Sequence, residues 1–204
     1  MAPIKRLVLA SGNAGKLREF QTLLAGQAIE VIPQSHFSIP DAEETGLSFV
    51  ENAILKARHA ARLSGLPALA DDSGLEVDAL LGAPGIYSAR FSGEGATDAR
   101  NNTKLLEALA NMPQASRTAR FHCVLVLMRH AEDPVPLICH GSWEGIILQA
   151  PSGSNGFGYD PLFFAIEQQA SAADLPSEIK NRVSHRGKAT AQLLQQLAAM
   201  QESR

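Results

Sequence analysis

Residues 67–78 constrain the fold of this chain more than any other stretch. An apolar run over residues 67–70 stops at two adjacent carboxylates, Asp71 and Asp72, and Ser-Gly then leads into the alternating segment 75–78. The pattern predicts a strand, a sharp turn and a second strand, as in α/β proteins that carry carboxylates at strand ends. Because successive strand side chains point to opposite faces, we expect one aspartate to face a cleft and the other to brace the turn. An ordinary polar turn would have the same composition.

Composition limits the classes of protein that this chain can belong to. Of the 204 residues, 45% are hydrophobic, which is enough for a substantial core in one domain or in two small ones. The formal net charge is −3. A negative charge argues against a nucleic-acid partner. No apolar run approaches the roughly 18 residues of a membrane span, and no signal-peptide core is present. Two cysteines without metal or redox spacing fit a reducing compartment, so we predict a cytoplasmic protein with no membrane partner.

A glycine-rich segment near the start is a candidate anion site. Residues 6–10 read as a strand, and Ser11-Gly12-Asn13-Ala14-Gly15-Lys16 leads into apolar residues at helical spacing. A strand, a glycine turn and a helix start can cradle phosphate, because backbone N–H groups point at the anion, and Lys16 would add a cation. The spacing is neither a Walker A loop nor a dinucleotide fingerprint. A plain βα turn that needs glycine for its backbone angles therefore stays an alternative.

An acidic segment precedes the next predicted helix. Residues 41–46 read Asp-Ala-Glu-Glu-Thr-Gly, and the helix over about 49–63 has Ser48 and Glu51 at capping-box spacing. Lys56 lies on this helix. Acidic residues near a helix start are also favourable with the helix dipole alone, so these residues by themselves leave a metal role open.

Three segments of the second half are candidate binding elements. Residues 81–93 form a glycine-rich loop without helical or strand period, which is typical of a lid or a binding wall. Residues 156–160, Gly-Phe-Gly-Tyr-Asp, could present an aromatic face to a planar base, although aromatic residues also commonly fill a core. Lys180, His185 and Arg186 form the densest cationic group in this half, which requires an anionic or carbonyl partner.

Seven segments in order resemble the inosine/xanthosine triphosphate pyrophosphatases: residues 11–16, 43–46, 51–58, 70–75, 82–90, 156–161 and 184–187. No single segment is specific, whereas the ordered set across nearly the whole chain is. The resemblance implies an α/β fold with an elongated mixed central sheet flanked by helices and two lobes around a substrate cleft, in one domain over residues 1–204. It also implies a homodimer that hydrolyses ITP, dITP and XTP to the monophosphate and pyrophosphate with Mg²⁺.

The same resemblance implies roles for individual residues. Asp72 would be the proton acceptor and a magnesium ligand, and Lys56 would lie beside the phosphates. Glu43 would be the second metal-linked carboxylate, with the adjacent Glu44 as the alternative. Phe157 would stack on the base. The implied substrate-binding residues are Ser11, Gly12, Asn13, Ala14, Gly15, Lys16, Ser73, Phe157, Gly158, Tyr159, Asp160, Lys180, His185 and Arg186.

The hypothesis that follows is water attack on the α-phosphorus. Asp72 takes the proton or orients the water, while Mg²⁺ and the lysines neutralise the departing pyrophosphate. Arg186 or a nearby donor would bind a 6-keto oxygen, so ATP should be refused. Two alternatives remain: a Maf-type pyrophosphatase of modified or pyrimidine nucleotides, and a non-catalytic nucleotide-binding sensor. The Ser-His-Arg and Phe-Gly-Tyr-Asp segments favour the purine enzyme, and the intact acidic residues weigh against a sensor.

Overall fold

The structure is a computed structural model, and it describes residues 4–202. Within these residues the strands are β1 (Arg6–Ala10), β2 (Glu30–Pro33), β3 (Ala68–Val77), β4 (Thr118–Met128), β5 (Leu137–Ile147), β6 (Phe163–Ala165) and β7 (Ala170–Ser171). The α-helices are α1 (Ala14–Leu23), α2 (Phe49–Ser64), α3 (Asp98–Ala108), α4 (Ser177–Val183) and α5 (His185–Glu202). Short 3-10 helices cover Gln34–Phe37, Asp78–Leu80, Gly85–Arg90 and Gln114–Ser116.

The seven described strands form one sheet in the order β2-β1-β3-β4-β5-β6-β7. β1 runs parallel to both β2 and β3, with Leu9 opposite Leu69. β6 runs antiparallel to β5 and to β7. The predicted mixed sheet flanked by helices is therefore confirmed. No helix among the described residues combines the length and the hydropathy that a membrane span requires.

The described chain divides into two compact units. The first contains the chain up to Asp72, Cys123–His140 and the chain from Gly187 onwards. The second contains Ser73–His122 and Gly141–Arg186. β3 contributes to both, since the division falls between Asp72 and Ser73. The single domain, the two lobes and the cleft stay predictions from the sequence.

In the first unit, helices cover both faces of the sheet. Leu69 of β3 lies in a core with Phe20 of α1 and Leu193 of α5. The next residue, Ala70, faces the opposite way, into a core with alanines of α2. Small side chains on α2 let the helix approach the sheet closely. This alternation determines which helix each later residue of β3 meets.

The second unit has one apolar core on its part of the sheet. Alternate residues of β3, β4 and β5 point into it, and α3 and α4 cover it with leucine and isoleucine side chains. The members include Leu75, Leu105, Phe121, Trp143 and Ile179. Tyr159 lies in the same core, so the turn that carries it is anchored by apolar burial.

Two local predictions differ from the structure. The sequence predicts a sharp turn at Asp71-Asp72-Ser73-Gly74, whereas β3 continues without interruption from Ala68 to Val77. Polar residues stay within this strand because each aspartate finds a cationic partner on a helix. Residues 81–93 also differ from the prediction, since Gly85–Arg90 forms a 3-10 helix.

The start and end of α2 agree with the sequence. Ser48 is the N-cap, and its hydroxyl accepts a hydrogen bond from the Glu51 N–H. The Glu51 carboxylate in turn accepts from the Leu47 N–H at 3.0 Å and from the Ser48 hydroxyl at 2.7 Å, a variant of the predicted capping box. These bonds fix the helix on which Lys56 lies.

Candidate active site

The two aspartates of β3 contact different elements of the first unit. Asp71 Oδ1 accepts from Lys16 Nζ at 2.6 Å, and its Oδ2 accepts from the Cys123 thiol at 3.2 Å. Asp72 Oδ1 instead accepts from Lys56 Nζ at 2.5 Å. Asp71 is fully buried, whereas Asp72 keeps 7% of its surface exposed. Asp72 is therefore the candidate catalytic carboxylate, and Asp71 is a buried partner that holds Lys16.

Lys56 is shared by two carboxylates. Its Nζ lies 2.5 Å from Asp72 Oδ1 and 3.1 Å from Glu44 Oε1. Burial raises the pKa of Asp72, against the opposing effect of the Lys56 charge. Burial alone would lower the pKa of Lys56, but the charges of Asp72 and Glu44 outweigh it and raise that pKa. The lysine therefore stays protonated, while Asp72 is a stronger base than an exposed aspartate.

The structure brings Glu44, and not Glu43, to this cluster. Along residues 41–46 exposed and half-buried positions alternate, with Glu43 exposed and Glu44 half-buried. Neighbouring residues in such a segment face opposite directions, so only one of the two glutamates can meet Lys56. The contact with Lys56 favours the alternative, Glu44, over Glu43, and the assignment of the second metal carboxylate stays a prediction.

The chemistry of these residues fits a hard divalent cation in part. Asp72 and Glu44 supply carboxylate oxygens, and they converge closely enough to share one ammonium group. Within residues 4–202, no three His, Cys, Asp or Glu side chains gather into a metal-binding group. Mg²⁺ commonly takes one or two carboxylates and completes its shell with water and substrate phosphates, which is what two carboxylates allow.

The glycine segment after β1 forms the start of α1. Asn13 is the N-cap, and its Oδ1 accepts from the Lys16 N–H at 3.0 Å. The Ser11 hydroxyl accepts from the Asn13 N–H at 3.2 Å. Gly12, Asn13 and Ala14 are exposed, and Gly15 is buried against the rest of the unit. The segment thus presents a helix N-terminus to solvent, the geometry that suits phosphate.

Lys16 is already oriented by its acidic partner. Its ammonium donates to Asp71 Oδ1 at 2.6 Å and to the Asp71 carbonyl at 3.2 Å. Since an ammonium has three donors, this pairing is compatible with a further bond to a phosphate oxygen. Asp71 therefore affects the glycine segment indirectly, by fixing the position of the Lys16 ammonium group.

The second unit carries the predicted aromatic turn. Asp160 Oδ2 accepts from the Phe157 N–H at 2.8 Å and from Lys180 Nζ at 2.6 Å. Gly156 has a φ of +78°, and a side chain there would overlap the Asp160 carboxylate. The Tyr159 hydroxyl donates to the Ser88 carbonyl at 2.8 Å, and burial raises the pKa of this phenol. The turn is thus tied at three points, with the Phe157 ring half-buried.

Two of the three predicted cationic residues meet the Phe157 ring. Lys180 Nζ lies 5.2 Å and Arg186 Cζ 5.8 Å from its centroid. Arg186 is 2% exposed and donates to the Ser73 hydroxyl at 3.0 Å. His185 is placed differently, since its ring stacks on Phe121 at 4.7 Å within the aromatic core.

Sequence reasoning missed two sets of contacts in these clusters. The sequence analysis assigned no contact to Cys123, yet its thiol donates a hydrogen bond to Asp71 Oδ2. Asp98 and Asn102 of α3 both bond to the Gly158 backbone. No local signal could have found either set, because the partners lie more than 50 residues apart in the chain.

Comparison with known proteins places these residues in a family. A profile of the Ham1 family matches residues 7–196. A dITP/XTP pyrophosphatase of Shigella flexneri is 59% identical over 194 residues, which cover 95% of this chain and 98% of that protein. A dITP/XTP pyrophosphatase of Vibrio cholerae serotype O1 is 57% identical over 201 residues, covering 98% of this chain and 99% of that protein.

Solved structures agree with this similarity. The HAM1 protein from Coxiella burnetii superposes with a TM-score of 0.87 at 54% identity, covering 98% of this chain and all of that one. The Ham1 protein of Staphylococcus aureus gives a TM-score of 0.83 at 40% identity, again covering 98% of this chain and all of that one. The resemblance drawn from the seven segments is therefore confirmed, and this chain belongs to the Ham1 family.

Proposed function

We propose that this protein hydrolyses dITP, XTP and ITP to the nucleoside monophosphate and pyrophosphate. The observation that carries the proposal is the Lys56 side chain, whose Nζ lies within contact distance of both the Asp72 and the Glu44 carboxylate. In this cluster Asp72 is a base of raised pKa, Lys56 is a cation for phosphate oxygens, and Asp72 and Glu44 supply two oxygen ligands for a metal. The relatives from S. flexneri and V. cholerae bear the name dITP/XTP pyrophosphatase, which supports this choice of substrate.

In the proposed reaction, water attacks the α-phosphorus. A bond forms between the water oxygen and this phosphorus, and the bond to the oxygen that bridges the α- and β-phosphorus atoms breaks. Asp72 accepts the proton of the attacking water, a role that its raised pKa favours. Lys56 offsets negative charge that builds on the phosphate oxygens. Pyrophosphate leaves, and the monophosphate keeps the new oxygen.

We assign Mg²⁺ to Asp72 and Glu44. When bound, the ion would neutralise phosphate charge as a Lewis acid. A triphosphate and two carboxylates repel each other without intervening cations, so we expect a strict requirement for a divalent ion. The exposed helix start at residues 12–14, with Lys16 beside it, is the proposed partner of the remaining phosphate oxygens.

We assign recognition of the base to the cluster around Phe157. The ring offers a stacking surface, and the cationic groups of Lys180 and Arg186 lie over the ring, with Nζ and Cζ 5.2 and 5.8 Å from its centroid. A buried guanidinium can donate to a 6-keto oxygen, which hypoxanthine and xanthine carry. The amino group of adenine cannot accept that bond, and an unpaired buried donor is costly. ATP should therefore be a poor substrate.

The proposal includes assembly as a homodimer in the cytoplasm, without nucleic-acid or membrane partners. The dimer comes from the sequence resemblance, and Leu81, which is 99% exposed, is a candidate contact residue. Cys123 and Cys139 are not joined in a disulfide, as is usual in a reducing compartment. Sedimentation of the wild type and of Leu81→Asp would test the dimer, and an unchanged monomeric mass in both would reject it.

Product analysis in ¹⁸O-labelled water tests the reaction. Purified protein is incubated with dITP, XTP, ITP and ATP, with Mg²⁺ or EDTA. We expect pyrophosphate and a monophosphate that carries the label, and no turnover with EDTA or in Asp72→Asn. Asp78→Asn, an exposed aspartate paired with Arg120, is the control and should keep activity. Orthophosphate with a nucleoside diphosphate would mean attack at another phosphorus, and label in pyrophosphate would mean attack at the β-phosphorus.

A further inference from the structure

One residue of the aromatic turn has both of its backbone polar groups bound by side chains of α3. The Gly158 N–H donates to Asp98 Oδ2 at 2.7 Å. The Gly158 carbonyl accepts from Asn102 Nδ2 at 3.0 Å. Asp98 and Asn102 are four residues apart, so they lie on the same face of the helix. Together they bind the N–H and the carbonyl of the same residue.

Gly158 is the residue between the two aromatic side chains of the turn. Its φ of +62° is left-handed, a conformation that the local sequence does not enforce by itself. A hydrogen bond to a charged carboxylate is stronger than one between neutral groups. The two hydrogen bonds to Gly158 therefore select one backbone conformation, and with it the direction in which the Phe157 side chain points away from the backbone.

The same helix also holds the segment that anchors Tyr159. Asn101 Nδ2 donates to the carbonyls of Ser88 at 3.3 Å and Ala89 at 3.1 Å. The Ser88 carbonyl also accepts from the Tyr159 hydroxyl. α3 thus fixes the aromatic turn directly at Gly158 and indirectly through Ser88. The turn is built against α3 as its support.

We propose that Asp98 and Asn102 are positioning residues that orient Phe157 for the purine base by holding the backbone of Gly158. The inference rests on the proposed function, because it concerns the base that the turn would receive. It requires the hydrogen bonds themselves, whereas a role of Asp98 only at the helix N-terminus would require its charge. A variant that keeps the hydrogen bond but removes the charge distinguishes these two roles.

The variants are Asp98→Ala, Asp98→Asn, Asn102→Ala and Asn102→Asp. Asp98→Asn keeps an acceptor for the Gly158 N–H, while Asn102→Asp removes the donor to the Gly158 carbonyl. Thr103→Ala is the control, since Thr103 is exposed on the same helix and its hydroxyl bonds only within the helix to the Ala99 carbonyl. Thermal unfolding verifies that each variant is folded.

Three measurements distinguish orientation of the base from general damage. They are KM and kcat for dITP, the inhibition constant of inorganic tripolyphosphate, which has no base, and amide hydrogen exchange of peptides covering residues 157–160. We expect Asp98→Ala, Asn102→Ala and Asn102→Asp to raise KM for dITP about tenfold, as for loss of a charged or buried hydrogen bond. Inhibition by tripolyphosphate should stay within about twofold, within the usual spread of independent sites. Exchange in the turn should accelerate, and Asp98→Asn should restore most of the binding.

Each contrary result has a defined meaning. An unchanged KM in Asp98→Ala and Asn102→Ala overturns the inference, as does an equal loss of tripolyphosphate binding. Equal effects of Asp98→Ala and Asp98→Asn would assign Asp98 to the helix dipole and overturn it as well. A wild type that releases no pyrophosphate from dITP or XTP would overturn the proposed function together with this inference. If the wild type releases pyrophosphate from dITP or XTP, the variants test the inference alone.

Discussion

Replacing Glu44 by Gln should impair the enzyme, whereas the same change at Glu43 should not. Glu44 Oε1 lies 3.1 Å from Lys56 Nζ, with the two side chains 26% and 14% exposed. Coulomb's law at this distance gives about 1 kcal/mol in a dielectric of ~80 and about 5 kcal/mol in one of ~20. Partial exposure places the real value between them, near the roughly 1.5–3 kcal/mol of charged hydrogen bonds. The expected loss in kcat/KM is about 10- to 100-fold.

The assay is pyrophosphate release from dITP over a series of Mg²⁺ concentrations. In Glu44→Gln one of the two proposed metal carboxylates is neutral, so half-maximal activity should require more Mg²⁺. Glu43→Gln removes the same charge from an exposed neighbour and should stay within about twofold of wild type, as surface changes usually do. The reasoning is refuted if Glu43→Gln loses activity and Glu44→Gln does not, or if both variants behave alike.

Three further predictions follow from the structure. Because burial raises the pKa of Asp72, its carboxyl group in the metal-free protein should titrate above the ordinary aspartate range, and an NMR titration that gives a pKa of about 4 or below would contradict this. Gly156→Ala should lower stability by about 2 kcal/mol, because the new methyl group overlaps Asp160 Oδ2. Thermal unfolding measures it against Gly26→Ala, which has a φ of +84° but open space. Arg117→Met should cost about 2–4 kcal/mol in the same assay, since three carbonyls lose their buried donor; Arg117→Lys should lose less.

Local signals predicted β1 and α2 well. The Ser48 cap of α2 and the strand at residues 6–10 depend on neighbours within a few positions, so the sequence contains their causes. The seven ordered segments predicted the family, and the Ham1 profile and the relatives named dITP/XTP pyrophosphatase agree with the purine substrate instead of a Maf-type one.

Errors arose where distant charges decide the structure. Asp71 and Asp72 resemble a turn because isolated carboxylates are costly to bury. In the fold, Lys16 and Lys56 pair with them from helices 55 and 16 residues away, and the strand continues. The choice between Glu43 and Glu44 was likewise open from the sequence. Only one of two neighbouring side chains can face Lys56, and the way in which residues 41–46 lie against α2 decides which one does.

The sequence by itself therefore determined the family, the strand at residues 6–10, the helix that begins at residue 49 and the set of chemical groups, because these depend on local pattern and on motifs in a fixed order. Only the tertiary structure decided which groups meet: Asp72 with Lys56 and Glu44, Asp71 with Lys16 and Cys123, and Gly158 with Asp98 and Asn102. Such pairings depend on the direction of each side chain from a strand or helix after folding. A shift of one residue changes that direction by half a turn on a strand and by about 100° on a helix, which composition does not record.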